Sequence, residues 1–236
     1  MILFFVRHGD PCYNPDSLTP LGLRQAEAVG RRLCARGLDR IFSSPMKRAI
    51  QTAQPAAEML GKEIEILDFA SETHAWNELT LVREDGRRVW ACSDSETQKL
   101  FYKSDVRDLG MRWYTHPAFE NTTFQMGMER IQRESDRWLS SLGYARTERE
   151  GIYTEERKND ERIALFAHAG FGSAFFSHIL GIPYPVYSQM FDLSHSCITA
   201  IEFKGKDGVV IPSVITMSND AHLYEARLIL NGRIAF

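Results

Sequence analysis

The stretch Phe4-Phe5-Val6-Arg7-His8-Gly9-Asp10 is the most informative part of this chain. An apolar run, which predicts a buried strand over residues 2–6, stops abruptly at an arginine, a histidine and a glycine. An imidazole can attack phosphorus, a neighbouring guanidinium can bind phosphate oxygens, and a glycine lets the backbone approach an anion closely. The order of these residues suits phosphoryl chemistry, with His8 as the candidate nucleophile and Arg7 as a phosphate ligand.

Two further strands end in residues that suit an anion site. The apolar run over residues 163–167 is followed by His168 and then by an alanine and a glycine. A strand over residues 39–43 leads through a Ser-Pro pair into a helix that carries Arg48 in its first turns, where the helix N-terminus favours anions. Because ligands of open α/β sheets bind outside the carboxyl ends of the strands, we expect all these groups to surround one phosphate dianion.

The motifs resemble those of the histidine phosphatase superfamily, which is also called phosphoglycerate-mutase-like. The resemblance covers residues 1–60 and 160–225. It rests on Arg7-His8-Gly9, Thr19-Pro20-Leu21-Gly22, Ser43-Ser44-Pro45 before Met46-Lys47-Arg48, His168-Ala169-Gly170 and Asn219-Asp220-Ala221-His222. It implies a phosphohistidine intermediate on His8 that water hydrolyses, with His168 holding the equatorial oxygens of the phosphoryl group. Nearby arginines disfavour the imidazolium, so His8 should stay neutral near pH 7.

Departure of the leaving group needs a general acid, because an alkoxide leaves poorly. The resemblance places a carboxylate shortly after the third strand, which is predicted over residues 64–69. Glu72 occupies that position, Asp68 is its rival, and Glu78 is a weaker alternative.

Several polar residues have less specific signals. Asn14 and Ser17, in the loop after the first strand, are candidates for phosphate contacts, although Asn-Pro-Asp-Ser is equally a plain turn. His222 lies in a motif whose role in the family is more often structural or peripheral, and His195 precedes a strand that commonly packs beside the pocket. Since no metal-ligand spacing is present and arginines neutralise the phosphate, we expect neither a metal nor a cofactor.

Alternation of apolar strands with helical patterns predicts an α/β fold, a three-layer sandwich around a mostly parallel sheet. We interpret residues 1–236 as a single domain. Residues 75–125 are aromatic and charged without this alternation, and they predict a partly helical lid or cap insertion over the C-terminal strand ends. Helices are predicted over 20–36, 45–60, 125–142 and 171–180, a solvated loop or hairpin over 146–161, and two antiparallel strands over 197–203 and 209–217.

Composition narrows the class of protein. The chain has 236 residues and a formal net charge of −3, so we expect no nucleic acid and no anionic membrane as partner. Its four scattered cysteines indicate free thiols in a reducing compartment, and its first residues predict a strand rather than a leader. We therefore expect a cytoplasmic protein. The oligomeric state is left open, with a homodimer as one option.

The expected function is that of a phosphomonoesterase acting on a small phosphorylated metabolite. One alternative is a phosphoglycerate mutase-type phosphotransferase, which needs extra cations to hold a carboxylate. The other is a non-catalytic phosphate-binding module. The insertion is predicted to combine core packing with selection of the organic part of the substrate, and its candidate residues are Trp76, Tyr102, Trp113 and Tyr114.

Overall fold

The computed structural model describes residues 1–228, in which strands and helices alternate along much of the chain. The strands are β1 (Ile2–Arg7), β2 (Pro11–Tyr13), β3 (Asp16–Leu18), β4 (Arg40–Ser43), β5 (Ile64–Ile66), β6 (Thr80–Val82), β7 (Arg88–Trp90), β8 (Tyr144–Arg146), β9 (Tyr153–Glu155), β10 (Arg162–Ala167), β11 (Ile198–Glu202), β12 (Gly205–Lys206), β13 (Val209–Val210) and β14 (Ser213–Asn219). The helices are α1 (Pro20–Cys34), α2 (Lys47–Leu60), α3 (Glu72–Glu78), α4 (Ser95–Phe101), α5 (Ser104–Arg107), α6 (Phe124–Ser141), α7 (Ala169–Leu180), α8 (Tyr184–Met190) and α9 (Ala221–Glu225). Short 3₁₀ helices cover Asp68–Ala70, Ala91–Ser93, Gly110–Thr115 and Pro117–Phe119.

The central sheet has six strands in the order β14-β11-β1-β10-β4-β5. Strands β1, β10, β4 and β5 are parallel, whereas β11 and β14 are antiparallel additions beside β1. In register, Arg7 pairs with Ala167 and Phe166 pairs with Ser43. The carboxyl ends of β1, β10 and β4 therefore meet at one edge, and the predicted mostly parallel α/β sheet is confirmed.

Helices cover both faces of this sheet. Helices α1 and α2 pack together on one face, in a buried cluster that includes Val6, Val29, Leu33, Ile41 and Ala53. Helices α6 and α7 cover the other face, in a cluster that includes Phe5, Phe42, Trp138, Leu165 and Phe171. The result is the expected three-layer arrangement. Within residues 1–228, no helix is long and apolar enough to cross a membrane.

The start of α1 holds the loop that follows β1. As predicted, Thr19 caps the helix, because its Oγ1 accepts a hydrogen bond from the Gly22 N–H at 3.1 Å, and Pro20 takes the first helical position. A Cβ on Gly9 would lie 2.7 Å from the carbonyl oxygen of Gly22, and a Cβ on Gly22 would lie 2.2 Å from that of Asp10. Both glycines are therefore required by the close approach of two backbones.

The segment over residues 75–125 is partly helical and has an aromatic core of its own. Phe101 and Trp113 meet edge to face with ring centroids 5.2 Å apart, and Trp113 stacks on Tyr184 of α8 at 5.6 Å. Contacts of this kind anchor the segment to the helix that follows α7.

The prediction for the last two strands is partly wrong. Strand β11 pairs with β14, but residues 209–210 form a separate strand that pairs with β12 and with β9. Asp207 and Gly208 have φ values of 54° and 80°, so they close a tight hairpin before the chain returns to the central sheet. The charged segment over 146–161 contains strand β9, which pairs with β8, as the hairpin alternative predicted.

Candidate active site

A cavity of about 1110 Å³ opens at the carboxyl ends of the parallel strands. Arg7 and His8 line it from the end of β1, Arg48 lines it from α2, and Glu72 lines it from the start of α3. Segments that are distant along the chain therefore bring four of the predicted site residues to one concave surface.

His8 is held as a neutral imidazole with a defined tautomer. Its Nδ1 lies 2.7 Å from the carbonyl oxygen of Gly9, which can only accept, so Nδ1 carries the proton and Nε2 carries the lone pair. Burial lowers the pKa of His8 well below its usual value, and neighbouring His168 and Arg7 lower it further. This is the protonation state that a nucleophilic histidine requires.

The loop after His8 is tied to the helix that carries Arg48. The Gly9 N–H donates to Thr52 Oγ1 at 3.0 Å, and the Thr52 hydroxyl donates to the carbonyl oxygen of Arg48 at 2.7 Å. Because Thr52 is fully buried, this connection fixes the loop after His8 relative to α2.

His168 lies beside His8 but behind the cavity surface. The two ring centroids are 5.1 Å apart, whereas His168 is completely buried and is not among the residues that line the cavity. Its Nε2 lies 2.8 Å from Ser44 Oγ, and its Nδ1 is buried without a hydrogen-bond partner. Burial, followed by Arg48 and Arg7, lowers the pKa of His168 well below its usual value.

Arg7 is oriented by the segment that follows α8. One guanidinium nitrogen donates to the carbonyl oxygen of Leu193, and the other donates to Nε2 of His195 at 2.7 Å. The ring centroid of His195 is 5.3 Å from that of His8. His195 therefore belongs to the site, although its sequence position alone assigned it no role.

Arg48 is paired with a carboxylate that the sequence analysis did not single out. Its Nη1 donates to Asp16 Oδ1 at 2.6 Å, and its side chain is only 5% exposed. Asp16 Oδ2 also accepts from the Lys47 N–H at 2.8 Å, at the start of α2. The ring of Tyr13 lies 5.3 Å from the guanidinium carbon of Arg48. The Asn-Pro-Asp-Ser turn was the available signal, but a turn of this composition is common on surfaces.

Glu72 is the carboxylate that reaches the cavity. Its oxygens accept hydrogen bonds from the N–H groups of Gly170 at 3.1 Å and Phe171 at 3.0 Å, in the first turn of α7. Burial raises the pKa of Glu72, although these two N–H groups and the two arginines oppose the rise. The net shift favours the protonated form, as a general acid requires.

Burial thus moves the pKa values of Glu72 and His8 in opposite directions. Ordinarily histidine titrates above glutamate, so a neutral imidazole and a protonated carboxyl seldom coexist. Raising the carboxyl pKa and lowering the imidazole pKa favours their coexistence. One group is then ready to attack while the other is ready to donate a proton.

The two rival carboxylates lie elsewhere. Asp68 is 83% exposed and pairs with His74 at 3.1 Å. Glu78 is buried in an ion pair with Arg130 at 2.6 Å. Neither lines the cavity, so the geometry favours Glu72 among the three candidates.

Other candidates are not brought to the cavity wall. Asn14 is exposed at the turn between β2 and β3, and Ser17 Oγ donates to the carbonyl oxygen of Pro15. Neither lines the cavity, so their phosphate contacts stay predictions. His222 is buried away from it, with Nε2 3.1 Å from Ser196 Oγ, consistent with a structural role.

The segment over residues 75–125 contributes part of the wall. Of its predicted candidates, Trp76 lines the cavity, whereas Tyr102, Trp113 and Tyr114 do not. Trp113 and Tyr114 are buried in the segment's own core, and Tyr102 is exposed. Sequence reasoning passed over Trp90, Gln98 and Gln189, which line the cavity from β7, α4 and α8.

The positive charge that lines the cavity comes from arginine side chains. Among residues 1–228, Arg7 and Arg48 are the cations that line the cavity. Within the same range, no group of three or more histidine, cysteine, aspartate or glutamate side chains could hold a metal ion.

Comparison with known proteins identifies similar chains. The family model of the histidine phosphatase superfamily (branch 1) matches residues 3–113, which contain Arg7, His8, Arg48 and Glu72. A putative phosphoserine phosphatase 2 from Hydrogenobacter thermophilus is 25% identical over 149 residues, which are 59% of this chain and 66% of that protein. The match therefore spans just under two thirds of the relative's length.

Solved structures resemble the whole fold. A mutant phosphoserine phosphatase from Entamoeba histolytica, in complex with phosphoserine, superposes with a TM-score of 0.59 at 18% identity, over 94% of this chain and 98% of that one. A mycobacterial glucosyl-3-phosphoglycerate phosphatase gives a TM-score of 0.60 at 17% identity, over 92% and 98%. At these identities the likeness shows a shared fold.

Proposed function

We propose that the chain is a phosphomonoesterase of the histidine phosphatase superfamily, acting on a small phosphorylated metabolite through a phosphohistidine intermediate on His8. The observation that carries the proposal is the neutral His8 ring with its lone pair on Nε2. This ring shares one cavity with Arg7, Arg48 and Glu72. A nucleophile, two phosphate-binding cations and an acid are the parts that the reaction needs.

In the first step, Arg7 and Arg48 hold the phosphate dianion. His8 Nε2 attacks phosphorus, forming the P–N bond while the ester P–O bond breaks. The electron pair of that bond stays on the departing oxygen, which takes the proton of Glu72 and leaves as an alcohol. Because the carboxyl is held by the first turn of α7, the proton is delivered from a fixed position.

In the second step, Glu72 acts as a base. Its carboxylate takes a proton from water, the water oxygen attacks phosphorus, and the P–N bond breaks. Inorganic phosphate leaves, His8 regains its neutral form, and Glu72 is protonated again for the next turnover. The same residue serves both steps because its protonation state alternates with them.

His168 is assigned a supporting role in charge stabilisation. Ser44 lies against its Nε2, whereas Nδ1 is buried without a protein partner and can donate to an equatorial phosphoryl oxygen after a small shift of the ring. One well-aimed donor of this kind contributes roughly 3–4 kcal/mol to lowering a barrier. Its ring distance of 5.1 Å from the His8 ring supports this assignment.

The substrate class, the cellular setting and the oligomeric state are also proposals. The relatives above are named for phosphoserine and glucosyl-3-phosphoglycerate, which are small phosphate monoesters; this chain acts on a member of that class, and residues 75–125 act as a cap that selects among its members. The cysteines at positions 12, 34, 92 and 197 are free, which supports a reducing, cytoplasmic setting. A homodimer remains a prediction.

The direct test is rapid chemical quench with radiolabelled 4-nitrophenyl phosphate. We expect an acid-labile, base-stable phosphoprotein that forms before phosphate release reaches its steady rate. The variant His8→Ala should lose both the phosphoprotein and nearly all turnover. The matched control is His74→Ala, since His74 lies outside the cavity and should leave both unchanged.

Other outcomes would assign another function. A wild-type enzyme that turns over without a phosphoprotein would refute the intermediate. Formation of 2-phosphoglycerate from 3-phosphoglycerate without free phosphate would favour the mutase alternative. Against that alternative, the described cavity has no cation beyond Arg7 and Arg48 to hold a carboxylate. Binding of vanadate with no hydrolysis of any phosphoester would indicate a binding module.

A further inference from the structure

Two indole rings form the wall of the cavity beyond its phosphate-binding end. Trp76 and Trp90 both line the cavity and are half-buried. Their ring centroids are 5.0 Å apart and their planes are inclined by 79°. Two rings packed edge to face form a corner against which a flat group can stack on one ring and pack its edge on the other.

This corner adjoins the general acid. Trp76 follows Glu72 by four residues on α3, so the two side chains lie on the same side of that helix. Trp90 lies against Gly170, where a Cβ would be 2.3 Å from Cη2 of the indole. The N–H of Gly170 in turn donates to Glu72. A leaving group whose oxygen takes the proton of Glu72 therefore extends onto the two indoles.

The outer part of the cavity offers no positive charge to that leaving group. Within the described chain, no lysine lines the cavity and no arginine does so besides Arg7 and Arg48, and its other polar side chains include Ser93, Gln98, Ser173, Ser188, Gln189 and Asp192. The carboxamides of Gln98 and Gln189 both donate to the carbonyl oxygen of Cys92, at 2.8 and 2.9 Å, and this fixes their orientation. A carboxylate on the substrate would lose water here without gaining a counterion.

We propose that the site prefers phosphate monoesters of neutral aromatic alcohols and discriminates against esters whose organic part carries a carboxylate, such as phosphoserine. The inference rests on the proposed phosphomonoesterase function. The cavity volume of about 1110 Å³ accommodates a ring in addition to the phosphate.

The experiment compares kcat/KM for four esters of primary alcohols: benzyl, 4-carboxybenzyl, cyclohexylmethyl and choline phosphate. In the two benzyl esters a methylene separates the ring, with or without its carboxylate, from the ester oxygen. Their leaving groups are therefore close in basicity. We expect benzyl phosphate to exceed each of the others by about tenfold or more. Ratios of kcat/KM on one preparation do not depend on how much of the protein is folded.

Substitutions test which residues cause the preference. Trp76→Leu and Trp90→Leu should each bring the benzyl to cyclohexylmethyl ratio towards one. Tyr102→Leu should leave it unchanged, because Tyr102 is an exposed aromatic residue of the same segment outside the cavity. Gln98→Lys should raise kcat/KM for the 4-carboxybenzyl ester relative to the benzyl ester, because it supplies the missing cation.

Each contrary outcome has a definite meaning. Equal kcat/KM for the two benzyl esters, or a benzyl to cyclohexylmethyl ratio unaffected by both tryptophan substitutions, would overturn the inference while leaving the phosphomonoesterase intact. Faster turnover of choline phosphate would also overturn it and would assign the corner to an ammonium group. No hydrolysis of any ester, with no phosphoprotein, would refute the proposed function itself.

Discussion

Replacing Glu72 by glutamine should remove the proton donor while keeping the shape of the side chain. In the native protein its two oxygens accept from the N–H groups of Gly170 and Phe171, at 3.1 and 3.0 Å. A glutamine offers one acceptor oxygen and would turn its amide towards the second N–H. Leaving one buried donor unpaired costs about 1–3 kcal/mol of unfolding free energy. For a domain of this size, Tm should fall by roughly 2–4 °C per kcal/mol.

The kinetic effect of the same substitution should depend on the leaving group. General acid catalysis contributes about 10²- to 10⁴-fold, and we expect a loss of that order in kcat/KM for benzyl phosphate. For 4-nitrophenyl phosphate the loss should be about tenfold or less, because nitrophenolate departs without a proton. A change in folding alone would reduce both rates by the same factor.

The pH profile provides the second measurement. The wild-type kcat/KM for benzyl phosphate, which reports the steps up to departure of the alcohol, should fall as the pH rises through the pKa of Glu72, which burial raises, because the proton donor is then lost. The Glu72→Gln variant should lack this decline. As control, Asp68→Asn should change neither substrate's rate, since that side chain is 83% exposed and outside the cavity. Equal losses on both esters in Glu72→Gln, or a large loss in Asp68→Asn, would refute the assignment.

Three further substitutions probe other parts of the structure. Arg48→Lys keeps the charge but loses the planar fork of donors, so kcat/KM should fall about 10- to 100-fold in steady-state assays, and an unchanged value would remove Arg48 from the phosphate site. Gly170→Ala places a Cβ 2.3 Å from Trp90, which should lower the unfolding free energy by about 1–3 kcal/mol in urea titrations, whereas an unchanged midpoint would mean that the ring moves freely. Burial, followed by Arg32, lowers the pKa of His222 from 6.5 to about 4. The contribution of neutral His222 to the unfolding free energy is therefore fully present above pH 6.5, and about 3 kcal/mol of it is lost as the pH falls to 4. His222→Gln should flatten this dependence in thermal melts, and parallel curves for the two proteins would contradict it.

The elements that could be predicted from sequence were those whose signal is local. Apolar runs that end in Arg7-His8 and in His168 marked two of the parallel strands, and Thr19 marked the start of α1. The strand predicted over 64–69 ends at Ile66, and Asp68–Ala70 form a 3₁₀ helix instead. The error at residues 209–210 arose because a tight turn inserts a hairpin that pairs with a distant strand. Strand pairing of that kind depends on residues far away in the chain, which local periodicity does not report.

Within the site, the residues that could be predicted are those that lie at the end of a strand or at the start of a helix. Asp16 and His195 were not recognised as partners of Arg48 and Arg7, because they lie 32 and 188 residues away from them. Likewise, the sequence did not single out Trp90, which packs on Gly170, 80 residues away, and so lines the cavity. Such contacts depend on the packing of residues 75–125 and of α8 against the rest of the chain.

The amino-acid sequence by itself determined the class of chemistry. A histidine between an arginine and a glycine at a strand end can serve as a nucleophile for phosphorus, and parallel strands bring such ends together. A neutral His8 was already expected from its neighbouring arginines, whereas only the tertiary structure decided the raised pKa of Glu72 and the lining of the cavity around it. Burial lowers the pKa of His8 and raises that of Glu72. The packing of residues 75–125 places two indoles, without a further cation among the described residues that line the cavity, beside Glu72. Both effects depend on excluding water, which happens only when segments distant along the chain are packed together.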